Sequence, residues 1–225
     1  MLTKQTITGG VLMKKIVCFG DSNTYGYDPS TGGRFDEKTR WPKLLQDLLG
    51  SDYEVIEEGQ NGRTIANEDP WEGGTKCGMD YVLPMLETKR PDLLIIMLGT
   101  NDLKIKFNLP AADIAGSMQT MLMKIRGYCR YYLSSPDQKI LLISPPALSD
   151  PFSESYFATF FDENSVVEKS KELAKWYELV AGQFGCEFLN ATAQVSAGNV
   201  DHLHLDPAGH KKMADIVCGK VKEIL

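Results

Sequence analysis

The chain has 225 residues, 43% of them hydrophobic, which is enough to build one large domain or two small ones around a full core. Its net charge of -6 argues against a broad surface for nucleic acid or anionic membrane, and no apolar run is long enough to span a bilayer. Five cysteines, odd in number and without CxxC spacing, argue against a disulfide frame or a zinc site. A reducing, cytoplasmic setting without metal or cofactor is the expectation that follows.

Residues 1–12 are polar and contain Gly9 and Gly10, with no apolar signal-peptide core. They read as a leader that need not be ordered, followed by one domain over residues 13–225. The first strand is predicted over residues 15–20, ending in Gly20-Asp21-Ser22-Asn23. Pro42 stands where a first-turn proline belongs, Leu44, Leu45, Leu48 and Leu49 form an apolar face, and Gly50 stops that helix. Further strands are predicted over residues 53–57, 92–99, 139–144 and 186–189. The run Leu93 to Leu98 is continuously apolar, as expected of a strand covered on both faces. Helices are predicted over residues 113–132 and 164–184. In the latter, Lys169, Lys171 and Lys175 alternate with Glu168 and Glu172 as a solvated face. A last helix, capped by Asp206 or its neighbours, runs to Ile224. Strand and helix alternate without repeat or linker. The pattern predicts an α/β domain with a mostly parallel five-stranded sheet and helices on both faces.

Three connections, residues 25–40, 63–79 and 145–162, are longer than such folds need. The last carries Phe152, Tyr156, Phe157, Phe160 and Phe161. Rings in a loop must be covered, either by their own domain, as an acyl-pocket wall, or by a second copy of the chain.

Acyl transfer requires a nucleophile, a base, a group that orients the base, and donors for the oxyanion. Ser22 sits at the carboxyl end of a buried strand, where open α/β sheets bind ligands. Of three histidines, His204 lies three residues after Asp201 on one loop, close enough for the carboxylate to fold back onto the imidazole. His202 is the competitor, pointing elsewhere from an extended segment, and His210 falls inside the last helix as a structural residue. The Gly62 N–H, with no Cβ in the way, and the Asn101 side-chain amide follow two further strands as oxyanion donors. A competing reading is a flavodoxin-like binding module cradling phosphate or flavin on the loop after the first strand. It leaves Asp201, His204 and Asn101 without a role.

Gly20-Asp21-Ser22-Asn23, Gly62, Gly99-Thr100-Asn101-Asp102 and Asp201-His202-Leu203-His204 together resemble the four blocks of the SGNH (GDSL-type) hydrolases, in order and spacing. The resemblance covers residues 14–225. It implies a flavodoxin-like three-layer α/β/α sandwich and a serine esterase. Ser22, His204 and Asp201 would be nucleophile, base and orienter, and the oxyanion hole would be Ser22, Gly62 and Asn101. Glu57-Glu58-Gly59, Arg63-Thr64 and Ser144-Pro145-Pro146 are similar to the bacterial arylesterase/acyltransferase branch. Members of that branch hydrolyse small esters or pass acetyl groups to alcohols or peroxide, and some form octamers. One departure is Asn61-Gly62, where a mycobacterial acyltransferase of the branch has Ser-Ala. The resemblance therefore implies a small-molecule ester substrate of short acyl chain and a homo-oligomer. Acetylated carbohydrates, thioesters and lysophospholipids are the alternative substrates.

Overall fold

The computed structural model describes residues 13–225, so the leader expected over residues 1–12 lies outside it. In chain order the elements are β1 (Lys14–Gly20), the single turn α1 (Ser22–Tyr25), the small hairpin β2 (Tyr27–Asp28) and β3 (Gly33–Arg34), α2 (Trp41–Leu49), β4 (Tyr53–Gly59), α3 (Gly78–Lys89), β5 (Leu93–Met97), α4 (Ala111–Tyr131), β6 (Lys139–Ser144), α5 (Val166–Gln183), β7 (Glu187–Asn190) and α6 (Pro207–Ile224). The main sheet has the order β4-β1-β5-β6-β7, and every neighbouring pair is parallel. From β1 the chain goes outward to β4, then crosses to the other side of β1 for β5. Strand order thus reverses between β1 and β5, and the crevice at their carboxyl ends is where this topology places a ligand.

The period-2 alternation of strands divides the core in two. Val17 and Phe19 of β1 join Leu94 and Ile96 of β5 against Met85, Met118 and Tyr177 of α3, α4 and α5. Ile16 and Cys18 join Leu93 and Ile95 against Trp41, Leu45, Met213 and Val217 of α2 and α6. The result is the expected three-layer sandwich, with β5 buried along its whole length.

Sequence expectation and structure differ in a few places. Residues 80–89, unassigned from the sequence, belong to α3. Pro84 lies inside that helix but on its exposed side, while Val82, Met85 and Leu86 carry the buried face. The apolar face of α2 is narrower than predicted, because Leu48 is 45% exposed and only Leu45 of the four leucines is fully buried. All five cysteines are free thiols. Among the described residues no helix is long and apolar enough to cross a membrane.

The long connections are fastened to the sheet. In the first, Arg40 donates Nε and Nη2 to the two carboxylate oxygens of Glu57 on β4, each at 2.9 Å. In the third, Phe152 and Phe161 are buried in the core and touch edge to face. Phe157 is half-buried, and Tyr156 and Phe160 remain 55% and 51% exposed. The Tyr156 hydroxyl donates to the Pro29 carbonyl at 2.9 Å, joining the first and third connections.

His210, on α6, is fully buried, and its Nδ1 accepts the Trp41 N–H at 3.4 Å. Burial pushes its pKa down to about 4, reinforced by His204 and Arg40 and opposed by Asp206. Between about pH 4 and 6.5 the unfolded chain therefore binds the extra proton, and stability is lost as pH falls through that window. Asp21 and Asp102 act with the opposite sign, since burial raises their folded pKa values to about 6 and about 7. Replacing His210 isolates its contribution. His210→Asn, whose Oδ1 can accept the Trp41 N–H, should become less destabilising by on the order of 3 kcal/mol between pH 7 and pH 4. Urea unfolding of both proteins at the two pH values measures this. A pH-independent difference would show that His210 is not held neutral.

Candidate active site

The nucleophile candidate is positioned by the tight turn after β1. A Cβ on Gly20 would lie 2.1 Å from Thr24 Oγ1, so the turn can fold back onto the strand only with glycine there. Asp21 caps α1, its Oδ1 accepting the Asn23 N–H at 2.9 Å. Gly26, at φ 84°, closes the turn with its N–H on the Ser22 carbonyl. Ser22 thus stands at the first position of a rigid turn, at the switch point of the sheet.

The loop before α6 brings the other two residues to it. Asp201 is fully buried, and its Oδ1 accepts the N–H groups of Leu203 (3.0 Å) and His204 (2.9 Å). Its Oδ2 lies 2.6 Å from His204 Nδ1, and His204 Nε2 lies 2.9 Å from Ser22 Oγ. Burial works to raise the Asp201 pKa, but the His204 ring and these N–H groups win and hold it below the ordinary carboxylate value. An ionised carboxylate can only accept, so Nδ1–H donates to Asp201, and Nε2 is left to accept the Ser22 hydroxyl proton. His202 lies in the left-handed region, at φ 59°, and its Nδ1 pairs with Ser149 Oγ at 2.9 Å, away from Ser22. His210 does not enter this chain of bonds.

The two further strand ends carry Gly62 and Asn101, the residues expected to donate to an oxyanion. Residues 60–63 form a turn closed by the Arg63 N–H on the Gln60 carbonyl at 3.1 Å, with Gly62 at φ 77°. That is the glycine position of a type II turn. Asn101 follows β5, and its Nδ2 donates one hydrogen to the Arg63 carbonyl at 3.1 Å. Asp102, buried beside it, accepts the Ile65 N–H and the Asn67 side-chain amide, which ties this loop to the Gly62 loop. Ser22, Gly62, Asn101 and His204 all line one cavity of about 350 Å³. Its remaining wall combines the rings of Tyr27, Trp71, Phe157, Phe160 and Phe161 with the charged Glu72, Lys104 and Lys106. The His204 ring is packed between Tyr27, at 4.5 Å between centroids, and Phe157, at 5.6 Å.

Several contacts that build the site leave no signal in the sequence, even where, as with Asn23, the residue itself belongs to a recognisable block. Asn23 accepts the Leu205 N–H at 2.9 Å, pinning the histidine loop to the nucleophile turn 182 positions away. Asp69, fully buried, holds Lys104 at 2.9 Å and also Lys106, while Lys104 pairs in addition with Glu72. These ion pairs fix the second long connection as a wall of the cavity, with Trp71 82% exposed at its rim. The pairings are long-range, and nothing local in the sequence announces them.

Known proteins carry the same architecture. The GDSL-like lipase/acylhydrolase family matches residues 18–212. The aryl esterase of M. smegmatis superimposes with a TM-score of 0.85 at 34% identity, over 94% of this chain and all of that one (100%). A carbohydrate acetylesterase family member from Sinorhizobium meliloti gives a TM-score of 0.86 at 32% identity, over 95% of this chain and 99% of that one. An acetylxylan esterase of Xylanibacter ruminicola is 25% identical over 92% of this chain, which spans only 43% of that protein's length. These likenesses leave no room for the binding-module reading: the chain belongs to the GDSL-like lipase/acylhydrolase (SGNH) family and is a carboxylic ester hydrolase.

Proposed function

We propose that the protein is a serine esterase of short-chain acyl esters, with Ser22 as nucleophile, His204 as base and Asp201 as its orienting carboxylate. The observation that carries this is the continuous chain from Asp201 through His204 to Ser22, 2.6 and 2.9 Å long in its two links, opening into the cavity. Ser22 Oγ attacks the ester carbonyl as its proton passes to His204 Nε2. Asp201 stabilises the imidazolium and keeps the ring in place. The oxyanion is held by the N–H groups of Ser22 and Gly62 and by the second hydrogen of the Asn101 amide. His204 then returns the proton to the departing alcohol. Water, or an alcohol or peroxide as acyl acceptor, releases the acyl group in the reverse sequence.

The size of the cavity favours a small acyl group. Its wall is tied where Lys104 and Lys106 pair with the buried Asp69 and Lys104 pairs with Glu72. A long alkyl chain would have to break those ties, although each CH₂ that found an apolar slot would gain about 0.8 kcal/mol. With p-nitrophenyl esters, kcat/KM should peak between acetyl and butyryl and be abolished throughout by Ser22→Ala. A maximum at octanoyl contradicts the small pocket, and a fully active Ser22→Ala contradicts the esterase reading itself. A second reading, an acetylated carbohydrate as substrate, draws on one observation. Trp71 stands exposed at the rim beside Lys106 and Glu72, an aromatic face with polar neighbours on which a sugar ring can stack. The same Ser22→Ala control with acetylated xylose tests it, and Trp71→Ala should then raise KM for the sugar ester alone.

A further inference from the structure

We propose that Arg63 is the positioning residue of the oxyanion hole, holding in register the three loops that bear its donors. The inference rests on the reading that Ser22, Gly62 and Asn101 bind the oxyanion. Three separate parts of Arg63 act on three separate loops. Its N–H closes the turn that presents Gly62, bonding the Gln60 carbonyl at 3.1 Å. Its carbonyl accepts one hydrogen of the Asn101 amide at 3.1 Å and so orients the other. Its guanidinium donates from Nη1 to the Gly20 carbonyl at 2.8 Å, and also to the Glu58 carbonyl. Gly20 ends β1, two residues before Ser22, and Glu58 stands four residues before Gly62 near the end of β4.

The side chain is built in for this purpose. Arg63 is only 3% exposed, and its guanidinium lies 4.3 Å from the Phe19 ring centroid and 5.2 Å from that of Tyr81. Burial lowers its pKa to about 10, so it remains a cation at neutral pH, supported by Glu58, Tyr81 and Asp21. The Gly20 carbonyl already accepts the Gln60 N–H at 3.1 Å. The guanidinium bond is therefore an addition to strand pairing, one that links the nucleophile turn to the Gly62 turn. Donors displaced by a fraction of an ångström lose their aim at a charge that exists only in the transition state, while the ground-state ester is bound by the cavity walls. Removing the guanidinium should thus lower kcat and leave KM nearly unchanged.

The test is steady-state hydrolysis of p-nitrophenyl acetate by Arg63→Met and Arg63→Lys, per folded molecule as counted from thermal unfolding curves, with Ser22→Ala in parallel. Arg63→Met should lose at least thirtyfold in kcat with KM within about threefold. Arg63→Lys, which keeps a cation for the two carbonyls, should fall between it and the wild type. If Arg63→Met does not fold, the kcat-selective loss in Arg63→Lys, about tenfold, carries the test alone. A folded Arg63 variant with wild-type kcat, or a loss expressed in KM, overturns the proposal. An inactive Ser22→Ala beside an unaffected Arg63 variant refutes only this inference, whereas an active Ser22→Ala refutes the reading on which it rests.

Discussion

His204→Asn should lose about a thousandfold or more in kcat, while His202→Asn stays within about tenfold of the wild type. The two residues stand two positions apart, yet the loop sends them to opposite fates. His202 takes the left-handed conformation, at φ 59°, and its ring goes to Ser149. That reversal of the backbone lets Asp201 collect the N–H groups of both Leu203 and His204 and face the His204 ring. Asparagine tolerates the left-handed region, so His202→Asn leaves the loop intact. At position 204 the same substitution removes the ring that bridges Asp201 and Ser22, the base of the proposed mechanism. A thousandfold loss corresponds to about 4 kcal/mol of transition-state stabilisation. Steady-state kinetics on both variants decides the matter, and an inactive His202→Asn beside an active His204→Asn would reverse the assignment.

Asn101→Ala should cost roughly a hundred- to a thousandfold in kcat, with KM for p-nitrophenyl acetate little changed. The Asn101 amide is buried and spends one hydrogen on the Arg63 carbonyl. Asn101 lines the same cavity as Ser22 and Gly62, and in the proposed mechanism its second hydrogen serves the negative charge that develops there. Because that charge is absent from the bound ester, the loss belongs to kcat. A reduction below tenfold would mean that Asn101 is a loop brace, bonded to Arg63 and nothing more.

Much of this arrangement is legible in the sequence because parallel α/β sheets put chemistry at strand ends. An apolar run such as Leu93 to Leu98 followed by Gly99-Thr100-Asn101 is a local pattern, and its place in the fold follows from the alternation of elements. Ser22, Gly62 and Asn101 are of this kind, whereas Asp201 and His204 are legible from their three-residue spacing on the loop before α6. Contacts that join distant segments leave no such trace, even where the residues, as with Asn23 and Arg63, stand inside recognisable blocks. Asn23 reaches Leu205, Arg63 reaches Gly20, and Asp69 reaches Lys104 only once the sheet has formed. Residues 80–89 were obscured by Pro84, a helix breaker by propensity that is tolerated here inside α3 on the exposed side. The aromatic loop divided in a way its composition does not reveal. Phe152 and Phe161 went to the core, Phe157 to the His204 ring, and only Tyr156 and Phe160 were left largely to solvent. Tyr156 and Phe160 are the rings of this loop that stay most available for a contact between copies.

The most direct measurement of the central claim is peptide mapping after reaction with a fluorophosphonate, alongside residual hydrolysis of p-nitrophenyl acetate. We expect one label per chain, on Ser22, with activity falling in proportion to labelling and no label on Ser22→Ala. Activity retained after complete labelling of Ser22, or activity lost with the label on another residue, would contradict Ser22 as the nucleophile.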